Sequence, residues 1–104
     1  MRRSIVGLAL SAAVVTVGAS PAYAAAVSVS GARASNSGNR LYIHDTACDG
    51  YEAYTNWNYS TNNRLQAEGG CYLKTSVVVP SLRSFRACTD RTGRPDDCSS
   101  WVEP

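Results

Sequence analysis

The sequence predicts an all-β protein: a small antiparallel β-sandwich or barrel of about six to seven short strands, stapled by two disulfides. Three observations carry that prediction. Val, Thr, Tyr and Trp recur in short runs separated by Gly, Asn, Asp and Pro, the punctuation expected of strands and turns. No stretch keeps a helical apolar period between caps. Four cysteines, Cys48, Cys71, Cys88 and Cys98, all follow an N-terminal export pattern, and an even count in an oxidising compartment reads as a disulfide framework.

Taken in order, the first strand is expected over Val27 to Ala34, closed by the polar turn Ser35-Asn36-Ser37-Gly38-Asn39. Arg40 to Thr46 follows, with Leu41 and Ile43 on one face and Tyr42 and His44 on the other. Asp49-Gly50 supplies a turn that accepts positive φ. Beyond it, Tyr51, Ala53, Thr55, Trp57 and Tyr59 share a face expected to be buried. Glu52, Tyr54, Asn56, Asn58 and Ser60 share the wet face of a half-buried strand. Thr61-Asn62-Asn63 reads as a turn, and Arg64 to Glu68 continues with Leu65 and Ala67 inward. Leu73 to Val79 ends in three consecutive valines, so either both faces are buried or Val78 lies at a barrel-like corner, and Pro80 stops the ladder. Leu82 to Thr89 places Phe85 in the core, and Ser99 to Val102 forms a last short strand closed back by Cys98.

Domain organisation follows from the N-terminus. Residues 1–24 read as a secretory signal peptide: Arg2 and Arg3, an apolar run from Ile5 to Val17, and the cleavage site Ala22-Tyr23-Ala24. Residues 25–104 then form a single secreted β domain. That segment keeps 8 of the 10 Lys and Arg against 8 Asp and Glu, so its net charge is near zero. Its cations are dispersed along the chain, which argues against a nucleic-acid partner. With the signal removed there is no membrane segment either.

A domain this small buries only about 60–65% of its unfolded surface, so external staples are expected. Sequence allows three pairings of the four cysteines. Cys48 with Cys71 and Cys88 with Cys98 is preferred, because each bond clips one hairpin-like segment and the chain need not cross itself. Intervals of 23, 17 and 10 positions lack the close Cys pairs or nearby His of a zinc site. Asp45 to Gly50 matches an EF-hand loop at three positions but has Ala47 and Cys48 in its middle and Asn56 where the bidentate Glu belongs. Neither metal nor other cofactor is called for.

Catalysis finds little footing. His44 is the only histidine, and the adjacent Asp45 points to the opposite face of a strand, so the two cannot orient each other. No serine sits in a Gly-x-Ser-x-Gly elbow. The expectation is a monomeric, non-catalytic binding module that meets an extracellular protein or carbohydrate. Tyr and Trp are enriched at binding hot spots, and the candidate binding residues are those of the wet face: Glu52, Tyr54, Asn56 and Asn58. Tyr42 and His44 extend that face if the two strands are neighbours.

Two resemblances bear on this. Arg40-Leu41-Tyr42-Ile43, Asp45, Asp49-Gly50, Arg86-Ala87-Cys88-Thr89-Asp90 and Asp96-Asp97-Cys98-Ser99-Ser100-Trp101 resemble segments of small exported two-disulfide proteins of actinobacteria. That resemblance implies secretion, β structure and disulfides, and no activity. Trp57-Asn58-Tyr59, lying between the first two of four cysteines, is similar to the Trp-Arg-Tyr turn of tendamistat-like α-amylase inhibitors. It implies inhibition of an extracellular hydrolase, with Asn58 standing where that family has its inhibitory Arg.

Overall fold

The computed structural model describes residues 24–68 and 71–104. The segment read as a signal peptide lies outside the described residues, apart from Ala24. The described chain is all β, with eight strands: β1 (Ala26–Val29), β2 (Ala32–Ser37), β3 (Arg40–Asp45), β4 (Glu52–Trp57), β5 (Ser60–Ala67), β6 (Lys74–Val78), β7 (Phe85–Asp90) and β8 (Asp97–Cys98). They form two antiparallel four-stranded sheets, in the orders β1-β2-β3-β6 and β5-β4-β7-β8. The sandwich, rather than the barrel, is the architecture.

Alternation places the core. Ala32, Ala34, Leu41 and Ile43 from the first sheet meet Ala53, Ala67, Phe85 and Ala87 from the second, all at most 1% exposed. Five of these eight are alanines, so the interior is thin, and only Phe85, Leu41 and Ile43 bring bulk. A core of this kind contributes little apolar area per residue, which explains the need for covalent staples. Both are present in the preferred pairing, Cys48–Cys71 and Cys88–Cys98. Cys88 and Cys98 stand directly opposite each other on β7 and β8, and that bond ties down a strand only two residues long.

Four local expectations change, one of them near the C-terminus: the last strand is Asp97–Cys98, and Ser99 to Val102 is not a strand, with Val102 making only an isolated bridge to Phe85. The segment Val27 to Ala34 is a hairpin and not one strand, because Gly31 adopts a φ of 87° between β1 and β2. A Cβ there would lie 3.2 Å from Thr89 Oγ1 and 3.3 Å from Asp49 Oδ2. Thr89 Oγ1 donates to the carbonyl of Ser30 at 2.6 Å, which ties this turn to the opposite sheet. The strand beginning at Glu52 stops at Trp57, where Asn58 and Tyr59 take φ of 54° and 55°. Two successive positive φ values make the two-residue hairpin turn whose twist matches its strands, so Thr61-Asn62-Asn63 lies within β5 and not in a turn. Val78 belongs to the edge strand β6 and is 54% exposed, while Val79 beyond it is buried.

Candidate functional site

The sandwich offers two outer faces, and they differ in how far their polar groups are already engaged. On the second sheet the outward residues are Glu52, Tyr54 and Asn56 of β4, opposite Gln66 and Arg64 of β5 and Asp90, Cys88 and Arg86 of β7. The parity read from the sequence holds, but the wetness does not: Tyr54 is 4% exposed and Asn56 1%. The guanidinium of Arg64 lies 3.6 Å above the Tyr54 ring and also reaches Gln66 and, at 3.2 Å, Asp90. The Tyr54 hydroxyl donates to Asp96. Burial and that bond push the Tyr54 pKa up to about 12, and the same bond holds the Asp96 carboxyl below its usual range. Asn56 donates to the carbonyl of Asn63 at 2.9 Å and accepts from Arg86 Nε at 3.1 Å. Glu52 is exposed, yet accepts from Gln66. This face is a closed polar network.

Asn58 is likewise occupied. Its side chain donates to the Ser81 carbonyl at 2.9 Å and accepts from the Arg83 amide at 2.7 Å, so it clasps the hairpin tip to the chain entering β7. Next to it Tyr59 stays 56% exposed, 5.1 Å from the Trp101 ring, with its hydroxyl donating to Glu103. That bond raises the pKa of Tyr59. Asp45 and Asp49, the first and fifth positions of the calcium-like segment, each accept a backbone N–H two residues ahead, from Ala47 and Tyr51. Such bonds form local turns.

Tyr42 and His44 do not extend the Tyr54 face. β3 pairs with β2 and β6, so the two residues lie on the outer face of the other sheet, on the far side of the sandwich. The six residues expected to form one surface are thus divided: sheet order puts Tyr42 and His44 on one face and Glu52, Tyr54 and Asn56 on the other, and the turn after Trp57 takes Asn58 to the hairpin tip.

The register of the first sheet assembles something that chain order concealed. Arg33, His44 and Lys74 stand opposite one another across β2, β3 and β6. The next outward row is Ser35, Tyr42 and Ser76, and the one after it is Ser37, Arg40 and Val78. Arg40 donates to Ser76 Oγ at 3.1 Å, and the Lys74 ammonium lies 4.9 Å from the Tyr42 ring centre. Two cations therefore converge on the Tyr42–Ser76 pair. Arg33, Arg40 and Lys74 are all exposed. Among the described residues, the ion pairs use Arg64 and Arg91 and leave these three without a carboxylate. No acidic side chain occupies the outward rows of β2, β3 and β6. His44 stands between Arg33 and Lys74, so these two cations lie two strands apart, about 9–10 Å, and an exposed cation–π contact contributes only about 0.5–1 kcal/mol.

Arg33, Arg40, Lys74 and the flanking serines were missed because their relation exists only across strands. The available signal was alternation within Arg33-Ala34-Ser35 and Lys74-Thr75-Ser76, which places the polar residues outward together once the strands pair.

No family model, curated protein or solved structure matches this chain. Function must be read from the surface.

Proposed function

We propose that this chain is a secreted, monomeric, non-catalytic binding protein that meets an extracellular partner through the outer face of β1-β2-β3-β6. One contrast carries the reading: the Tyr54 face has spent its polar groups on itself, whereas the Tyr42 face holds exposed cations without carboxylate partners beside a half-exposed tyrosine. The two disulfides are compatible with an extracellular protein, and no helix among the described residues is long and apolar enough to cross a membrane. The N-terminal pattern of residues 1–24 supports export. His44 lies between Arg33 and Lys74, and among the described residues it has no hydrogen-bonded carboxylate or hydroxyl. That is the reverse of the setting that makes a histidine a general base.

The test is an array of extracellular glycans and proteins probed with the wild type and with a Tyr42→Ala/His44→Ala variant. Binding by the wild type that the variant loses supports the reading. Binding that survives in this variant but disappears on replacing Tyr59 and Trp101 overturns it.

A second reading, inhibition of an extracellular hydrolase, is favoured by one observation. Asn58 and Tyr59 do form a hairpin turn, and Tyr59 is exposed at its tip. Against it, Asn58 faces the 81–84 segment through its side chain and is not presented outward. Incubation with α-amylase decides this version: dose-dependent loss of starch hydrolysis, removed by Tyr59→Ala, would establish it.

A further inference from the structure

Building on the proposed sheet-face reading, we infer that the partner is an acidic polysaccharide, lying across β2, β3 and β6 with its anionic groups at Arg33, Arg40 and Lys74 and a sugar ring against Tyr42. Three features of the face lead there. Its charge has one sign: these three cations share it with His44, while the acidic residues of segment 25–104 belong to the other sheet, to the loops, or, for Asp45, to the buried side of β3.

Size comes second. Four strands of 4, 6, 6 and 5 residues, about 4.8 Å apart, present a footprint of roughly 350 Å² in projection, small for a stable protein–protein interface, which buries roughly 800 Å² of accessible surface on each partner. Its outward rows across β2, β3 and β6 also hold only one aromatic residue and one aliphatic one, Val78, which gives a protein partner few apolar anchors. A linear chain fits such a patch better than a globular partner does.

The third feature is the alternation of rows. A cationic row and the row of Arg40 flank the row Ser35–Tyr42–Ser76, and they lie four residues apart on β3, about 13–14 Å. Hydroxyl donors beside a tyrosine suit sugar hydroxyls, and the flanking cations suit carboxylates spaced along a glycan. A nucleic acid would demand a denser cationic track and repeated aromatic platforms. Here the segment 25–104 carries as many acids as bases, and the face offers Tyr42 alone.

The experiment is affinity electrophoresis and titration calorimetry of the disulfide-bonded protein with polygalacturonate, with neutral dextran and poly(dT) as the other arms. Polygalacturonate is expected to retard the wild type, and to do so less as NaCl rises from about 0.05 to 0.5 M, because exposed ion pairs are screened. Arg40→Ser/Lys74→Ser should weaken binding about tenfold, the loss expected for two exposed ion pairs. The charge-matched Arg83→Ser/Arg94→Ser variant, altered on exposed loop positions, should retain it. Tyr42→Ala should also weaken it, while the far-ultraviolet circular dichroism of the folded sheets stays unchanged. Absence of retardation by polygalacturonate, or tighter binding of poly(dT), overturns the acidic-polysaccharide assignment. Binding to dextran that Tyr42→Ala abolishes overturns the acidic class while leaving the sheet-face reading standing. Equal losses in the two double variants overturn both.

Discussion

Replacing Tyr54 by Phe removes one hydroxyl from beneath Arg64 and leaves the ring in place. The hydroxyl donates to the Asp96 carboxylate from a ring that is only 4% exposed. A hydrogen bond to a charged acceptor contributes about 1.5–3 kcal/mol, and the exposure of Asp96 moves this one toward the lower end, about 1–2 kcal/mol. In a domain of this size that lowers Tm by about 4–8 °C per kcal/mol. The alkaline range provides a second, independent signature. Burial, and then the bond to Asp96, raise the Tyr54 pKa from 10.0 to about 12. A phenol whose pKa is raised on folding gives stability that is fully present below pH 10 and is lost as pH rises through the folded value. Phe has no such dependence, so the gap between wild type and Tyr54→Phe should hold from pH 7 to 9 and narrow above pH 10. Tyr59 titrates high in both proteins and cancels in the difference. Urea unfolding followed by the fluorescence of Trp57 and Trp101 at a series of pH values measures it. All four cysteines are paired, so no free thiolate is present to start exchange. A variant within about 0.3 kcal/mol of wild type at pH 7, or a gap that stays constant to pH 11.5, refutes the account of Tyr54.

Gly31→Ala should cost more than Gly38→Ala: both force a side chain into positive φ, at about 1–2 kcal/mol, but only Gly31 also meets Thr89 and Asp49, and chemical denaturation will rank them. Asn58→Ala removes a clasp of two good hydrogen bonds and should lower stability by about 2 kcal/mol, with amide exchange accelerating first across 81–84. Opening Cys48–Cys71 by double Ala substitution should cost about 3.4 kcal/mol and opening Cys88–Cys98 about 2.7, from loops of 23 and 10 positions; equal losses would show that ring length does not govern them. Non-reducing peptide mapping of protein recovered from culture medium should find Ala25 as the first residue; chain retained in cells with Met1 intact would refute export.

The class of fold, the cysteine pairing and the inward residues Leu41, Ile43, Ala53 and Phe85 were legible in the sequence because each rests on local alternation or spacing. The interruption at Gly31 was not, since Val27 to Ala34 alternates acceptably as one strand and only the close approach of Thr89 demands the turn. Nor was the hairpin at Asn58-Tyr59, because tyrosine rarely adopts positive φ, and Thr61-Asn62-Asn63 carried the stronger turn composition. The state of Tyr54 was set by residues 10 and 42 positions away, Arg64 and Asp96, so parity gave its direction but not its burial. The candidate site is the extreme case: Arg33, His44 and Lys74 are separated by 11 and 30 positions, and only the register of three strands makes them a row.

The Cys48–Cys71 bond closes a covalent ring around the whole β4–β5 hairpin, and Cys88–Cys98 closes another around the exposed segment 92–96. The tip at Tyr59 and the Thr92 to Asp96 loop are the kind of surface that proteases cut first. A single cut inside either ring breaks the backbone without releasing a piece, since both new ends remain joined through sulfur. The nicked chain would keep its mass until reduced, and the face built by β2, β3 and β6 would survive damage to the hairpin opposite it. Among proteases, such a molecule wears out by accumulating cuts rather than by losing parts.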